Sequence, residues 1–220
     1  MTIGKYAWGV LSTVAATAAV VGLSAGPAMA SASSSTLTVK VSGGGSYTAT
    51  TAKTVLSDNG QNVTCTTKGK TAASTGSGKI PNGTDKGSSP VKVGTVAKLS
   101  FNNCTGPLGK VTTTIKSTPY TVSVDSKTNS KGQTDGLISG VKVAVKMTGC
   151  SFTVTGSAPG YYTNGKHTLN LTAKLPTKAL SKAQLTVSGV SGCFSLIKNG
   201  DHPTYTGTYT LSRKGTIKSS

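Results

Sequence analysis

Residues 141–147 read Val-Lys-Val-Ala-Val-Lys-Met, so that apolar side chains alternate strictly with Lys142, Ala144 and Lys146. Successive side chains of a β-strand point to opposite faces, and this alternation therefore indicates a strand with one buried face and one solvent-exposed face. Strands of this kind build antiparallel sheets. The stretch predicts a strand whose lysines face solvent.

The same period of two recurs on both sides of this stretch, with turn signals between the repeats. Many short strands separated by such turns predict an all-β fold, an antiparallel β-sandwich or barrel. Only residues 176–182 could form a short helix, and the Gly, Ser, Thr and Lys of residues 68–90 predict a long exposed loop. The turn signals are Asn59-Gly60, Asn82-Gly83, Asp135-Gly136, Asn164-Gly165 and Asn199-Gly200, of which Asn164-Gly165 is the best hairpin candidate.

The N-terminus has the parts of a secretory signal in their usual order. Lys5 precedes an apolar stretch at about 7–23, and Pro27 stands before the small residues Ala28 and Ala30. This order predicts a signal peptide over residues 1–30, with cleavage after Ala30. A membrane anchor is the alternative, but Ser, Thr and Gly interrupt the apolar run, so no transmembrane anchor is expected after cleavage.

Residues 31–220 are then expected to form a secreted β domain. The polar stretch at 126–136 is a candidate boundary between two halves, each with two cysteines. One sizeable domain and two small ones both fit this length.

The mature part holds four cysteines, Cys65, Cys104, Cys150 and Cys193. An even number in an exported chain indicates two disulfide bonds, for which three connectivities exist. The pairing Cys65–Cys104 with Cys150–Cys193 is favoured, each closing a loop of roughly 40 residues. No metal site is expected, because the close cysteine pairs of zinc sites are missing and neither histidine has a recognised ligand spacing.

The chain is strongly basic, with 23 Lys and Arg against 5 Asp, no Glu, and a formal net charge of +18. A charge of this size attracts polyanions and keeps a protein soluble. Sequence-specific nucleic-acid binding is not expected, because arginine is nearly absent and aromatic residues are few. The strand lysines Lys40, Lys98, Lys142 and Lys146 are the candidate contacts to a polyanion, and a merely solvated face is the alternative for them.

The sequence carries no recognisable catalytic or cofactor motif. The absence of Glu argues against glycosidases and calcium sites, and the Gly43–Gly45 run lacks the residues of a phosphate-binding loop. Asp201 and His202 are adjacent, so that in a strand or turn their side chains would point apart. No cofactor and no catalytic residue are therefore expected.

Five short pieces spread over most of the mature chain carry a family resemblance. They are 101–109 (Phe-Asn-Asn-Cys-Thr-Gly-Pro-Leu-Gly), 160–164 (Gly-Tyr-Tyr-Thr-Asn), 190–193 (Val-Ser-Gly-Cys), 200–201 (Gly-Asp) and 206–210 (Thr-Gly-Thr-Tyr-Thr). With the Ala-rich signal, they resemble a group of small secreted actinobacterial four-cysteine β-rich proteins. The resemblance implies an exported, disulfide-linked β protein and carries over no catalytic residues. The lysine content departs from the usual composition of that group.

These observations predict a secreted, non-catalytic binding or structural protein of the cell envelope or extracellular space. The expected partners are anionic cell-wall polymers, which the lysines would hold loosely. A small secreted hydrolase or enzyme inhibitor is the alternative function. The oligomeric state is left open.

Overall fold

The computed structural model describes residues 36–172 and 183–220, so the predicted signal peptide and the short helix predicted at 176–182 lie outside the described residues. The described part forms sixteen strands and one short 3₁₀ helix at Cys193–Ser195. The strands are β1 (Thr36–Ser42), β2 (Gly45–Thr51), β3 (Lys53–Asp58), β4 (Gln61–Thr66), β5 (Ser74–Ile80), β6 (Gly83–Ser88), β7 (Val91–Phe101), β8 (Cys104–Gly106), β9 (Gly109–Ile115), β10 (Tyr120–Val124), β11 (Gln133–Met147), β12 (Cys150–Thr163), β13 (Thr168–Leu171), β14 (Leu185–Gly192), β15 (Thr204–Leu211) and β16 (Thr216–Ser219).

The longest strand, β11, contains the alternating stretch from which the fold was predicted. Val143, Val145 and Met147 are buried there, and Lys142 and Lys146 are exposed. β11 pairs antiparallel with β12 along its whole length, with one bulge near its middle. This pair is the central hairpin of the molecule, since strands on both sides attach to it.

Thirteen strands belong to one antiparallel sheet that closes on itself. β2 and β3 lie end to end along one edge of β15, and β10 and β9 lie end to end along one edge of β11. The sheet therefore branches into two closed rings of eight strands that share β11, β12, β13 and β15. One ring is completed by β2, β5, β7 and β10, the other by β3, β4, β8 and β9. The predicted all-β, antiparallel class is confirmed.

A second, three-stranded sheet of β16, β1 and β6 covers part of the larger one. Its inner residues Leu37, Val39 and Val41 are almost fully buried and pack with Val93 and Tyr162 of the large sheet. Burial of this apolar face explains why β1 alternates so regularly, since a shift of one residue in its pairing would turn the face to solvent.

Two disulfide bonds link Cys65 to Cys104 and Cys150 to Cys193, which confirms the favoured pairing. The first joins β4 to β8, where the two cysteines stand opposite each other in the ladder. The second joins the first residue of β12 to the 3₁₀ helix after β14. All four side chains belong to the same buried cluster. Two formed disulfides fit an oxidising compartment.

The hairpin predictions at two Asn-Gly pairs are confirmed. Asn59 and Gly60, both with positive φ, form a two-residue turn between β3 and β4. Asn164 opens the turn between β12 and β13, which pair antiparallel. The Asn164 side chain also donates to the carbonyl of Ile217 and accepts from its N–H, at 2.9 and 2.6 Å. This turn therefore holds the outer edge of β16.

Two other sequence interpretations are wrong. Residues 68–90, predicted as an exposed loop, contain β5 and β6. The Asp135-Gly136 pair, predicted as a turn, lies inside β11. In both places glycine allows a neighbouring backbone to approach closely. A Cβ on Gly78 would lie 1.9 Å from the Thr95 carbonyl oxygen, and a Cβ on Gly136 would lie 2.2 Å from the Ser123 carbonyl oxygen. Glycine in a strand often marks such an approach.

In the described ranges, no helix combines the length and the apolar character needed to span a membrane.

Candidate functional site

The outer surface of β2, β5 and β7 carries a groove of about 950 Å³. Its floor is made by outward-facing residues of these three strands, and its far wall by residues 115–118, which lead from β9 into β10. Lys98, predicted from the sequence as a polyanion contact, lies in this groove. The groove is therefore the site to which the sequence prediction and the surface shape both point.

The floor presents two rows of polar side chains across the strands. In one row, Thr48 of β2 stands opposite Ser77 of β5, which stands opposite Lys98 of β7. The parallel row is formed by Thr50, Thr75 and Ser100 in the same order. On each strand the residues of the two rows are two positions apart, so all six side chains lie on the same face of the sheet.

Residues of the second row bond to each other and leave donors and acceptors at the surface. The hydroxyls of Thr75 and Ser100 are 2.7 Å apart. Thr48 and Thr50 are exposed, and the Thr48 backbone N–H donates to the Ser212 hydroxyl at 3.0 Å. The floor is thus a fixed array of hydroxyl groups rather than a mobile loop surface.

The far wall adds a second ammonium group, that of Lys116. Its backbone N–H donates to the Lys142 carbonyl at 2.9 Å, and this bond fixes the wall against β11. Lys116 is exposed and lines the groove together with Ser117 and Thr118. The sequence did not predict Lys116 as a contact, because this lysine follows the end of β9 and does not alternate with apolar residues inside a strand.

The lining holds two lysines and seven Ser or Thr residues, and no acidic residue or histidine belongs to it. Ammonium groups attract anions, and hydroxyls can donate to phosphate or carboxylate oxygens and to sugar hydroxyls. The lining offers no carboxylate or imidazole to act as a general base. The groove can therefore bind a ligand that carries anionic groups or hydroxyls.

The four predicted lysines are not gathered at one place. Lys142 and Lys146 point outward from β11, next to the segment that carries Lys116. Lys40 lies in the other sheet, on β1. The structure therefore connects three of the predicted lysines along one side of the large sheet and separates the fourth.

Lys40 belongs to a second basic surface on the three-stranded sheet. It stands directly opposite Lys218 of β16, and Lys86 of β6 lies on the same face, two residues along the ladder. All three side chains are exposed. Like charges directly opposite in a sheet destabilise it, so an anion bound between them would be favourable.

A pair of carboxyl groups lies elsewhere, at the end of β3. The Asp58 carboxyl lies beside that of Asp201, and one Asp58 oxygen is buried without a hydrogen-bond donor. The pKa of Asp58 is raised to about 6, first by burial and second by the neighbouring Asp201, while His202 opposes the rise. Asp201 accepts from the Lys198 N–H at 2.7 Å, whereas His202 Nδ1 lies 3.1 Å from the Leu185 carbonyl. Asp201 and His202 therefore have different partners, as expected for adjacent residues.

Replacing Asp58 by Asn should stabilise the protein at neutral pH. The folded state binds the Asp58 proton more tightly than the unfolded chain, so the carboxyl costs stability as pH rises from about 4 to 6, and the full cost remains above 6. After discounting for partial exposure, Asp58→Asn should gain about 1 kcal/mol at pH 7.5 and almost nothing at pH 4. Urea unfolding at both pH values measures this, with the exposed Asp85→Asn as control. An equal gain at both pH values would contradict it.

The described residues hold no cluster of metal-ligating side chains, and the single arginine of the chain has a structural contact. No group of three or more His, Cys, Asp or Glu side chains is placed there to hold a metal ion. Arg213, the single arginine of the chain, donates from Nε to the carbonyls of Gly43 and Gly44 at 3.2 and 2.8 Å. Its guanidinium therefore supports the turn between β1 and β2.

Comparison with protein-family models, with curated proteins and with solved structures finds no match for this chain.

Proposed function

We propose that this protein is a secreted, non-catalytic binding protein that attaches to anionic polymers of the cell envelope through its lysines. The observation that carries the proposal is the groove on β2, β5 and β7, which combines Lys98 and Lys116 with a floor of hydroxyl groups and no acidic residue. A polymer of sugar or polyol units joined by phosphates would use both kinds of group.

The distribution of charge over the rest of the surface supports the same proposal. Lys142 and Lys146 extend the positive potential beyond the groove along β11, and Lys40, Lys86 and Lys218 form a separate basic surface. Two basic surfaces on one molecule would allow contact with a long polymer at more than one point, which raises the overall affinity.

The proposed location follows from the sequence together with the disulfides. The features of residues 1–30 are those of a secretory signal, and two disulfides are stable outside the reducing cytoplasm. The resemblance to small secreted actinobacterial proteins supports placing this chain among them. Loose attachment to the wall, rather than insertion into the membrane, agrees with contacts made by lysines.

The test is co-sedimentation of the mature protein with isolated bacterial cell walls over a series of salt concentrations. Binding should fade between 0.1 and 1 M salt, as the screening length falls from about 10 to 3 Å. Lys98→Gln/Lys116→Gln should weaken binding about 30-fold at 0.1 M salt, since each of the two lysines near an anionic surface contributes about 1 kcal/mol.

The matched control is Lys68→Gln/Lys70→Gln, which removes the same charge from exposed positions outside the groove. Its binding should fall much less than that of the groove variant. Equal losses in the two variants would mean that net charge alone drives attachment. Absence of wall binding even at 50 mM salt would overturn the proposed function.

A further inference from the structure

The closed sheet surrounds a partly open apolar cavity of about 150 Å³. Residues of both rings line it, including Ala49 of β2, Leu99 of β7, Val143 of β11 and Leu171 of β13. Rings of about eight strands can leave room for one small ligand. The groove lies on the outer face of the same sheet, and Ala49, Gly76 and Leu99 belong to the linings of both.

Five tyrosines line the cavity, and their hydroxyls have partners in the protein. Tyr47 donates to the Thr95 carbonyl at 3.1 Å, and Tyr120 to the Lys142 carbonyl at 3.2 Å. Tyr162 donates to the Gly215 carbonyl at 2.7 Å. These three rings thus present their carbon faces to the cavity while their hydroxyls bond to the backbone.

The other two tyrosines form a chain of hydroxyl groups. Those of Tyr205 and Tyr209 are 2.6 Å apart, Tyr209 donates to Ser74 at 2.9 Å, and Ser74 donates to the Ser100 carbonyl at 2.7 Å. Burial raises the pKa of both tyrosines, so the hydroxyls stay neutral. All five tyrosine hydroxyls are therefore engaged.

These contacts decide what the cavity can hold. A buried water needs two to four polar partners and both donates and accepts, but the tyrosine hydroxyls have no proton left to donate to it. Apolar cavities of roughly this size stay dry and take up benzene-sized molecules. Because protein interiors are closely packed, an empty space of this volume costs stability in proportion to its size.

We propose that the cavity is a binding site for a small apolar molecule, of the size of a benzene ring or a short alkyl group and without hydrogen-bonding groups. The lining selects for this class, because the protons of the tyrosine hydroxyls already have acceptors, so an oxygen atom on the ligand would be buried without a donor. This activity is independent of the attachment of the outer surface to polymers.

Gly76 of β5 offers a way to fill the cavity without distorting the sheet. It lines the cavity, its φ is not in the left-handed region, and a Cβ built there would meet nothing closer than 3.7 Å. A larger side chain at this position would project into the space beside Leu99. Gly87 of β6 is the matched control, since its Cβ would also be unhindered and it does not line the cavity.

The experiment titrates the mature protein with benzene and with phenol, following methyl resonances by NMR and thermal unfolding in parallel. Wild type should show saturable shifts at Leu99 and Val143 and much smaller ones at the buried Val39, which does not line the cavity, and its unfolding midpoint should rise. Phenol should bind at least about 10-fold more weakly. Gly76→Val should lower the affinity for benzene at least about 10-fold, and Gly76→Ala should lower it less. Gly87→Val should leave this affinity unchanged.

Three results would overturn the proposal. The first is the absence of any saturable benzene shift in wild type, a measurement that does not depend on a variant folding. Phenol could bind as tightly as benzene, which would contradict the ligand class. Gly76→Val could fold and bind benzene like wild type, which would mean that benzene binds somewhere other than this cavity.

Discussion

Replacing Cys150 and Cys193 together by Ala is expected to lower the free energy of unfolding by about 4 kcal/mol. The bridge closes a loop with a sequence separation of 43 residues, and a cross-link of this length removes that much chain entropy from the unfolded state. Since a domain is stable by only about 5–15 kcal/mol, the variant should be partly unfolded at 37 °C. Urea unfolding of the variant and wild type measures the difference.

The other disulfide provides the comparison. Cys65 and Cys104 are 39 residues apart, so Cys65→Ala/Cys104→Ala should lose nearly the same free energy. Double replacements are needed, because a single one would leave a free buried thiol that can exchange. A loss below about 1 kcal/mol for either pair would show that the loops are already ordered in the unfolded chain.

Gly78→Ala should destabilise the protein by about 3 kcal/mol, whereas Gly76→Ala, two residues earlier on the same strand, should be neutral or slightly stabilising. A Cβ on Gly78 would lie 1.9 Å from the Thr95 carbonyl oxygen and 2.9 Å from the Tyr47 hydroxyl, so β5 and β7 would have to move apart. At Gly76 the nearest atom is 3.7 Å away, and alanine restricts the unfolded chain.

Chemical denaturation of the two variants checks this contrast within one strand. The Tyr47 hydroxyl donates to Thr95 across Gly78, so the Gly78 variant should also lose this hydrogen bond. Equal stabilities for the two alanine variants would mean that the approach of β7 to β5 is looser than described, and that β5 tolerates side chains throughout.

The fold class was readable from the sequence wherever one face of a strand is buried. The alternation at 141–147 predicted β11 because burial of every second residue imposes a period of two. The cysteine pairing was also predicted, although three connectivities existed. β5 and β6 were missed because glycine and polar residues leave no such period, and their pairing comes from backbone hydrogen bonds and from close packing at Gly78.

The candidate site was predictable only in part. Lys98 was found because it alternates with apolar residues, but nothing local relates it to Lys116 or to the hydroxyls of β2 and β5. Asp58 and Asp201 are far apart in sequence, and their proximity depends on the β3–β15 pairing. Residues that meet only through strand order have no shared signal in the sequence.

The sequence by itself determined the all-β class, the outward direction of the strand lysines and the charge, because each follows from local periodicity or from composition. Only the tertiary structure decided the closure of the sheet, the groove and the cavity. The physical reason is that closure depends on which distant strands pair, as β15 does with β2 and β3. That choice is made by the packing of the whole core.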